Sequence, residues 1–249
     1  MMKRLILIFS LCQVYLLTFG SVTKAEADSA YAEEHYQQAV KLYEELLKDG
    51  VSADLYYNLG NAYYRMDDIT RAVLNYERAL LLSPGDKDIR FNLQMARSRT
   101  IDKITPESEM FFVTWYRSLI NLMSVDGWAC TALITLVLAI MLALVYLFGN
   151  AVWVRKAGFF GGIFFVLVFL LSNLFAWQQQ QVLVNRRGAI VIRSAVSVKS
   201  TPAKNGTDLF ILHEGTRVNI LDATMRDWRH IRVDDGKEGW LETKEIEVI

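Results

Sequence analysis

The stretch that decides the fold runs from Tyr56 to Pro84: YYNLGNAYYRMDDITRAVLNYERALLLSP. Tyr56, Leu59, Gly60 and Tyr63 recur at the spacing that puts side chains on one face of a helix. Ala72, Tyr76 and Ala79 do the same on a second helix. Asp67 or Asp68 can cap that second helix by accepting from its unpaired N–H groups, and Pro84 ends it. Gly60 and Ala72 are small, as two closely crossing helices require, and Tyr63 and Tyr76 fill the space beside them. The reading is an antiparallel helix hairpin.

This hairpin resembles a tetratricopeptide repeat, whose W/Y-x2-L-G-x2-Y, A-x3-F/Y-x2-A and closing Pro positions are all matched within one frame of about 34 residues. The neighbouring repeats are partial. In AYAEEHYQQAVKLYEELLKDG, Ala39 and Tyr43 stand one repeat before Ala72 and Tyr76. The first helix of that repeat is expected to be cut short by loss of a leader. From Asp86, DKDIRFNLQMARSRTIDKI lacks the Leu-Gly pair and reads as a capping helix. Such arrays need about three units to bury a continuous core. The membrane-proximal helix or a partner is therefore expected to complete this one. The resemblance implies a concave, partner-binding face on the first helices, here Asp54, Tyr57, Asn58, Asn61, Tyr64 and Arg65. Amides, tyrosines and one Arg suit an extended or helical peptide. Taken singly, each reads better as part of a solvated helix face; together they are the best binding candidate in the chain. Asp88 and Asn92 stand where the carboxylate-clamp subtype has basic residues, so that subtype is not implied.

Upstream, MMKRLILIFSLCQVYLLTFGSVTKAEADS combines a basic start, an apolar run from Leu5 to Phe19 and small residues near Ala25 and Ala27. That is the pattern of a secretory signal, residues 1–27, cleaved after Ala25 or Ala27; an uncleaved anchor is the alternative. No small residue of the lipoprotein kind precedes Cys12. Removal of Cys12 would leave Cys130 alone, so no internal disulfide is expected.

Downstream, WACTALITLVLAIMLALVYLF (Trp128–Phe148) and AGFFGGIFFVLVFLLSNLFAW (Ala157–Trp177) are uncharged and long enough to cross a bilayer at about 1.5 Å per residue. They form an expected transmembrane hairpin over 128–177. Arg155 and Lys156 in its short turn favour a cytoplasmic turn, which Arg186 and Arg187 oppose from the far side. An export signal followed by two spans also puts both flanking domains outside. The expectation is an inner (cytoplasmic) membrane protein with periplasmic domains. Trp128, Trp153 and Trp177 fit interfacial anchors. Before the first span, over 105–127, Thr105, Pro106 and Glu107 read as a helix start. Met110, Phe111, Val113, Trp115, Leu119 and Leu122 then make an amphipathic helix. It suits either the membrane surface or an ordinary packed connection.

Past a linker over 178–188, the pattern switches to alternation of apolar and polar residues in AIVIRSAVSVKSTP, DLFILHEGTRVNILD and WRHIRVDDGKEGWLETKEIEVI. Asn205-Gly206, Glu214-Gly215 and Asp235-Gly236 mark turns. Five or so short strands in this length predict an all-β small barrel, which avoids open edges. Val198, Leu212, Gly215, Val218, Ile220, Trp228, Ile231, Val233, Gly239 and Trp240 fall in the order seen in bacterial SH3 domains, and residues 189–249 resemble that family. The resemblance implies recognition of cell-wall peptide or of another protein. Trp228 and Trp240 line a groove in that reading and support the core in the other.

The whole chain is thus expected to be multidomain: an all-α repeat array over 28–104, a two-helix hairpin and an SH3-like barrel. With 27 basic and 27 acidic residues it lacks the charge excess of a nucleic-acid binder. Its apolar fraction of 53% is concentrated in the leader and the spans. His35, His213 and His230 are its three histidines, each read as a surface residue in preference to a base. No nucleophile motif, phosphate loop or metal-ligand spacing occurs, so neither enzyme activity nor a cofactor is expected. In domain order the chain resembles the BatE-like family of the Bacteroides aerotolerance (Bat) operons. That resemblance implies a membrane assembly with von Willebrand factor A-domain proteins, linked to oxidative-stress tolerance or envelope integrity. Three roles follow: a scaffold for that assembly, a peptidoglycan-binding module, or a sensor with an oxidisable residue, the last supported only by Cys130.

Overall fold

A computed structural model describes residues 22–249. The leader expected over 1–27 therefore lies outside the described residues as far as Ser21. The first described helix, α1 (Lys24–Ala32), starts before the expected cleavage points end. Thr23 caps it, accepting from the Glu26 N–H while its own N–H donates to the Glu26 carboxylate. Ala25 and Ala27 both sit inside this helix, and Ala27 is fully buried. A cut at either point would remove the cap, worth about 1 kcal/mol.

Among the described residues, five helices form the N-terminal region: α1, α2 (Tyr36–Asp49), α3 (Ala53–Arg65), α4 (Ile69–Leu82) and α5 (Lys87–Arg97). Each obeys the sequence rules. Ser52 caps α3, Asp68 caps α4 through the Arg71 N–H at 3.0 Å, and Asp86 caps α5. Gly60 is required by a close crossing, because a Cβ there would lie 2.8 Å from the Tyr76 ring. The cap helix is where it was expected, and α1 supplies the first helix of the worn repeat.

Two further helices, α7 (Val125–Phe148) and α8 (Val152–Asn185), are long and apolar enough to cross a membrane and pack antiparallel. Gly158 lets them touch: a Cβ there would meet the Leu142 carbonyl and the Tyr146 backbone at 2.8 Å. The segment expected to link α8 to the sheet is largely helical, since α8 continues through the four glutamines to Asn185. Arg186, at φ +37°, ends it in the left-handed region, and the first strand starts two residues later.

The C-terminal region has seven antiparallel strands, two more than expected: β1 (Gly188–Val191), β2 (Ala195–Lys199), β3 (Asp208–His213), β4 (Arg217–Asp222), β5 (Trp228–Val233), β6 (Glu238–Glu242) and β7 (Ile246–Val248). They pair in the order β3-β2-β6-β5-β4-β1-β7. The sheet is not closed, since β3 and β7 are its edges. The strap of chain over 102–107 lies beside β3, and its Ile104 packs with Phe210 against the buried cluster to which all seven strands contribute. Gly215 and Gly236 have φ near +80° and +87°, as their tight turns demand.

The strap also corrects the expected start of the next helix. Thr105, Pro106 and Glu107 do not begin it, because the Glu107 N–H donates to the Asp234 carbonyl of the sheet. The helix α6 spans Phe111–Ile120 instead.

The sheet is docked on the repeat helices. Along β1, Ala189 and Val191 face the sheet's own core, while Ile190, fully buried, joins the helical core together with Ile249. Buried residues ring α4 on all sides, with α3 and α5 packed on it and β1 beyond. Polar contacts fix the register. Thr70 Oγ1 donates to Glu214 at 3.1 Å, and Arg78 donates to Glu247 at 2.9 Å and to the Val248 carbonyl at 2.7 Å. Buried Glu77 pairs with Arg97 and faces Arg217 at 3.7 Å. The array was expected to be completed by the membrane-proximal helix or by a partner; this chain's own sheet covers α4 instead.

Ile190→Ala should therefore destabilise both regions together, by about 2–5 kcal/mol. A single cooperative melt shifted downward in the solubilised full chain is the expected result. A sheet melt that moves while the helical melt stays would show that the docking contributes little.

Candidate functional sites

The concave face is built from α1, α3 and α5, and one hydrogen-bonded unit occurs on it twice. Tyr43 Oη donates to Asp28 Oδ1 at 2.7 Å, and Asn58 Nδ2 donates to the same oxygen at 3.2 Å. One repeat later, Tyr76 Oη donates to Asn61 Oδ1 at 2.7 Å, and Asn92 Nδ2 donates to it at 2.9 Å. In each unit a tyrosine of the second helix and an amide of the next first helix share one acceptor. Asn92 Nδ2 also reaches Tyr57 Oη at 3.0 Å.

The expected site residues thus divide. Tyr57, Asn58 and Asn61 are brought together and partly spent on holding successive helices. Tyr64 stacks under Arg99, whose guanidinium is 5.4 Å from the ring centre. Asp54 and Arg65 are exposed. A hollow of about 230 Å³ is lined by Asp28, Tyr31, Tyr43, Asn58 and Asn61. Asn58 Oδ1 and Asn61 Nδ2 have no hydrogen-bond partner among the described residues, so an acceptor and a donor remain one helical turn apart. That pair can satisfy the N–H and C=O of an extended peptide. Asp28, Tyr31 and Asn92 were missed in the sequence. Their signal was the repeat period: Asp28 stands at the position of Asn61, and Asn92 at that of Asn58, in adjacent repeats.

Electrostatics follow from these bonds. Burial pushes the Asp28 carboxyl up, but hydrogen bonds from Lys24, Tyr43 and Asn58 outweigh it and hold the group below the usual carboxylate value. Burial raises the Tyr43 phenol, and its bond to Asp28 raises it further. Tyr76 is raised mainly by burial. Both tyrosines are therefore neutral donors at any physiological pH.

On the sheet, Trp228 and His230 lie on the face of β5 opposite buried Ile231, and Trp240 sits across from His230 on β6. The His230 and Trp240 rings stack at 4.9 Å and 28°. Neither tryptophan belongs to the buried cluster, and both are half-buried. His230 belongs to this face as a stacking partner.

A third polar cluster joins the strap to the sheet. Asp102 accepts from the His213 N–H at 2.7 Å and from Thr216 Oγ1 at 2.7 Å, and it faces His213 Nδ1 at 2.8 Å. Burial pushes the Asp102 carboxyl up, yet these bonds prevail and keep it below its ordinary value. His213 is thereby an anchor of the strap, beside a hollow of about 380 Å³ lined in part by Ile104 and Phe210. No group of three or more acidic, His or Cys side chains suited to a metal ion occurs among the described residues.

Against known proteins, residues 53–86 match the family model of the tetratricopeptide repeat, and residues 194–247 match that of the bacterial SH3 domain. No curated protein matches the chain. The two matches agree with the helical hairpin α3–α4 and with the sheet, and both describe modules that serve protein–protein interaction or cell-wall binding.

Two outcomes are expected. Asn61→Ala, which removes two bonds and strands the Tyr76 hydroxyl, should lower stability by about 1–3 kcal/mol in denaturant melts, whereas Asp54→Ala and Arg65→Ala should leave it unchanged. Asp102 has a depressed folded pKa, so its contribution is full above the unfolded value of about 3.9 and is lost as pH falls through the lower folded value. The stability gap between the natural chain and Asp102→Ala should accordingly be widest at neutral pH and close in acid. A gap independent of pH would show that the carboxylate charge is not what holds the strap.

Proposed function

We propose that this protein is a non-enzymatic scaffold of the inner membrane that presents its repeat face and its SH3-like sheet to the periplasm, holding protein partners of one complex. The observation that carries the reading is the docking of the two modules into one body at the open end of the α7–α8 hairpin. Fastening two binding faces at a fixed mutual angle serves assembly of several partners better than capture of one. It is also compatible with only one topology, in which both modules are on the same side of the membrane.

The chain's resemblance to the BatE-like family supports a more specific version. The partners are then membrane proteins of a Bat-type complex, including von Willebrand factor A-domain proteins, and the role is in oxidative-stress tolerance or envelope integrity. In the concave face Asn58 Oδ1 and Asn61 Nδ2 take the backbone of a partner segment, with Tyr57, Tyr64, Asp54 and Arg65 around it. A photo-crosslinking residue at Arg65, exposed and outside the repeated hydrogen-bonded units, should yield adducts with von Willebrand or other membrane proteins, identified by mass spectrometry. Loss of those adducts in a variant carrying Asp54→Ala and Tyr64→Ala is the matching control. Adducts unaffected by that variant would remove the concave face from the account.

A second reading rests on Trp228, His230 and Trp240, which share the face of the sheet opposite Ile231 and offer half-buried aromatic rings to peptidoglycan. The full chain should then pellet with purified sacculi at low salt, and Trp240→Ala should abolish it. The isolated sheet is the wrong probe, since separation would expose Ile190 and Ile249. Failure of the natural chain to pellet would leave the scaffold reading alone.

A further inference from the structure

Helix α6 carries an apolar arc that no part of the described chain covers. Phe111 is 85% exposed, Trp115 64% and Phe112 52%. These residues fall within about a third of the helix circumference, with Thr114 and Arg117 outside that arc and Ser118 at its border beside Phe111. Arg117 is paired with Glu109 at 2.9 Å.

The position of α6 is set by α8. Tyr116 Oη donates to Gln178 Oε1 at 2.8 Å, and its ring meets Phe175 edge-on at 6.1 Å. Gln179, buried, donates through Nε2 to the Ile120 and Met123 carbonyls, both at 2.8 Å. Trp128 donates to the same Ile120 carbonyl at 2.8 Å and stacks edge-on against Phe175 at 5.0 Å. The end of α6 is thus bracketed where the apolar run of α8 gives way to glutamines, beside Trp128 and Trp177. Leu122 and Met123, both exposed, lie between α6 and α7, so exposed apolar residues continue along the chain from one helix to the other.

From this continuity we infer that α6 is a lipid-docking helix, lying at the headgroup–acyl boundary with Phe111, Phe112 and Trp115 in the bilayer. An amphipathic helix with an exposed aromatic arc and a short polar arc suits that boundary. The inference rests on the reading of α7 and α8 as membrane spans. It adds a third membrane contact, which seats the docked body on the bilayer. The strap leads straight from Asp102 and Ile104 into this helix, and Gly85 of the repeat region packs against the Leu122 carbonyl.

The test uses the full chain with Cys12→Ala and Cys130→Ala and one cysteine at a time, spin-labelled, in liposomes of phosphatidylethanolamine with phosphatidylglycerol as the minor component. Phe111→Cys and Trp115→Cys report the apolar arc, Thr114→Cys and Arg117→Cys the polar arc, and Val137→Cys and Leu167→Cys the spans. Phe112→Cys replaces Trp115→Cys if the latter fails to fold. Labels on the apolar arc should favour oxygen over a water-soluble nickel chelate as strongly as those on the spans, while the polar arc favours nickel. Preference for nickel at Phe111 and Trp115 would place the helix in water and overturn the inference, and shielding from both reagents would do so by showing a protein cover. If the labels at Val137 and Leu167 favour nickel, the reading of the spans itself falls and the lipid contact with it.

Discussion

The burial of β1 on both faces is the constraint on which the rest of the molecule depends. A strand of an open antiparallel sheet commonly has one wet side. Here Ala189 and Val191 fill the sheet's interior while Ile190 fills the helical one. Each region lacks something alone: the helices a third complete repeat, the sheet a closed perimeter. The single strand shared between the two cores compensates for both. The polar contacts around it, from Thr70 to Arg78 and from Asp102 to His213, are mostly charge-assisted and add orientation more than affinity.

Much of this was legible. The Tyr56–Pro84 stretch determined the helix crossing because Gly60, Ala72 and Tyr76 are steric requirements written directly as residue types. The switch after Asn185 was visible as a change of period from helix to strand. The run Ala189-Ile190-Val191 is where the reading stopped short. Unlike the alternating Val196 to Lys199, it is apolar without interruption, as a strand buried on both faces requires. Pattern alone could not say what lay on its second face, because that contact joins segments more than a hundred residues apart.

The binding face was legible by type and only partly by role. Asparagine and tyrosine on a concave helix face suit a ligand, and they equally suit one another. Which role prevails depends on whether neighbouring helices bring complementary atoms within about 3 Å. Asp28 and Asn92 do so for Asn58 and Asn61, and nothing local to α3 could reveal it. The strap was misread for a similar reason. Thr105-Pro106-Glu107 is a good helix start in isolation, but the Asp234 carbonyl takes the N–H that a helix would have used otherwise.

The left-handed turn at Arg186 leaves two residues between the rod of α8 and the sheet. With the strap fixed at the other side, the body has two mounts and little freedom to swivel. On the membrane reading proposed above, a rotation of the hairpin about its own axis becomes a rotation of both binding faces. Partners diffusing in the same bilayer then meet those faces at one height and one bearing. Their encounter is a search in two dimensions with much of the orientational cost of association already met by the fold.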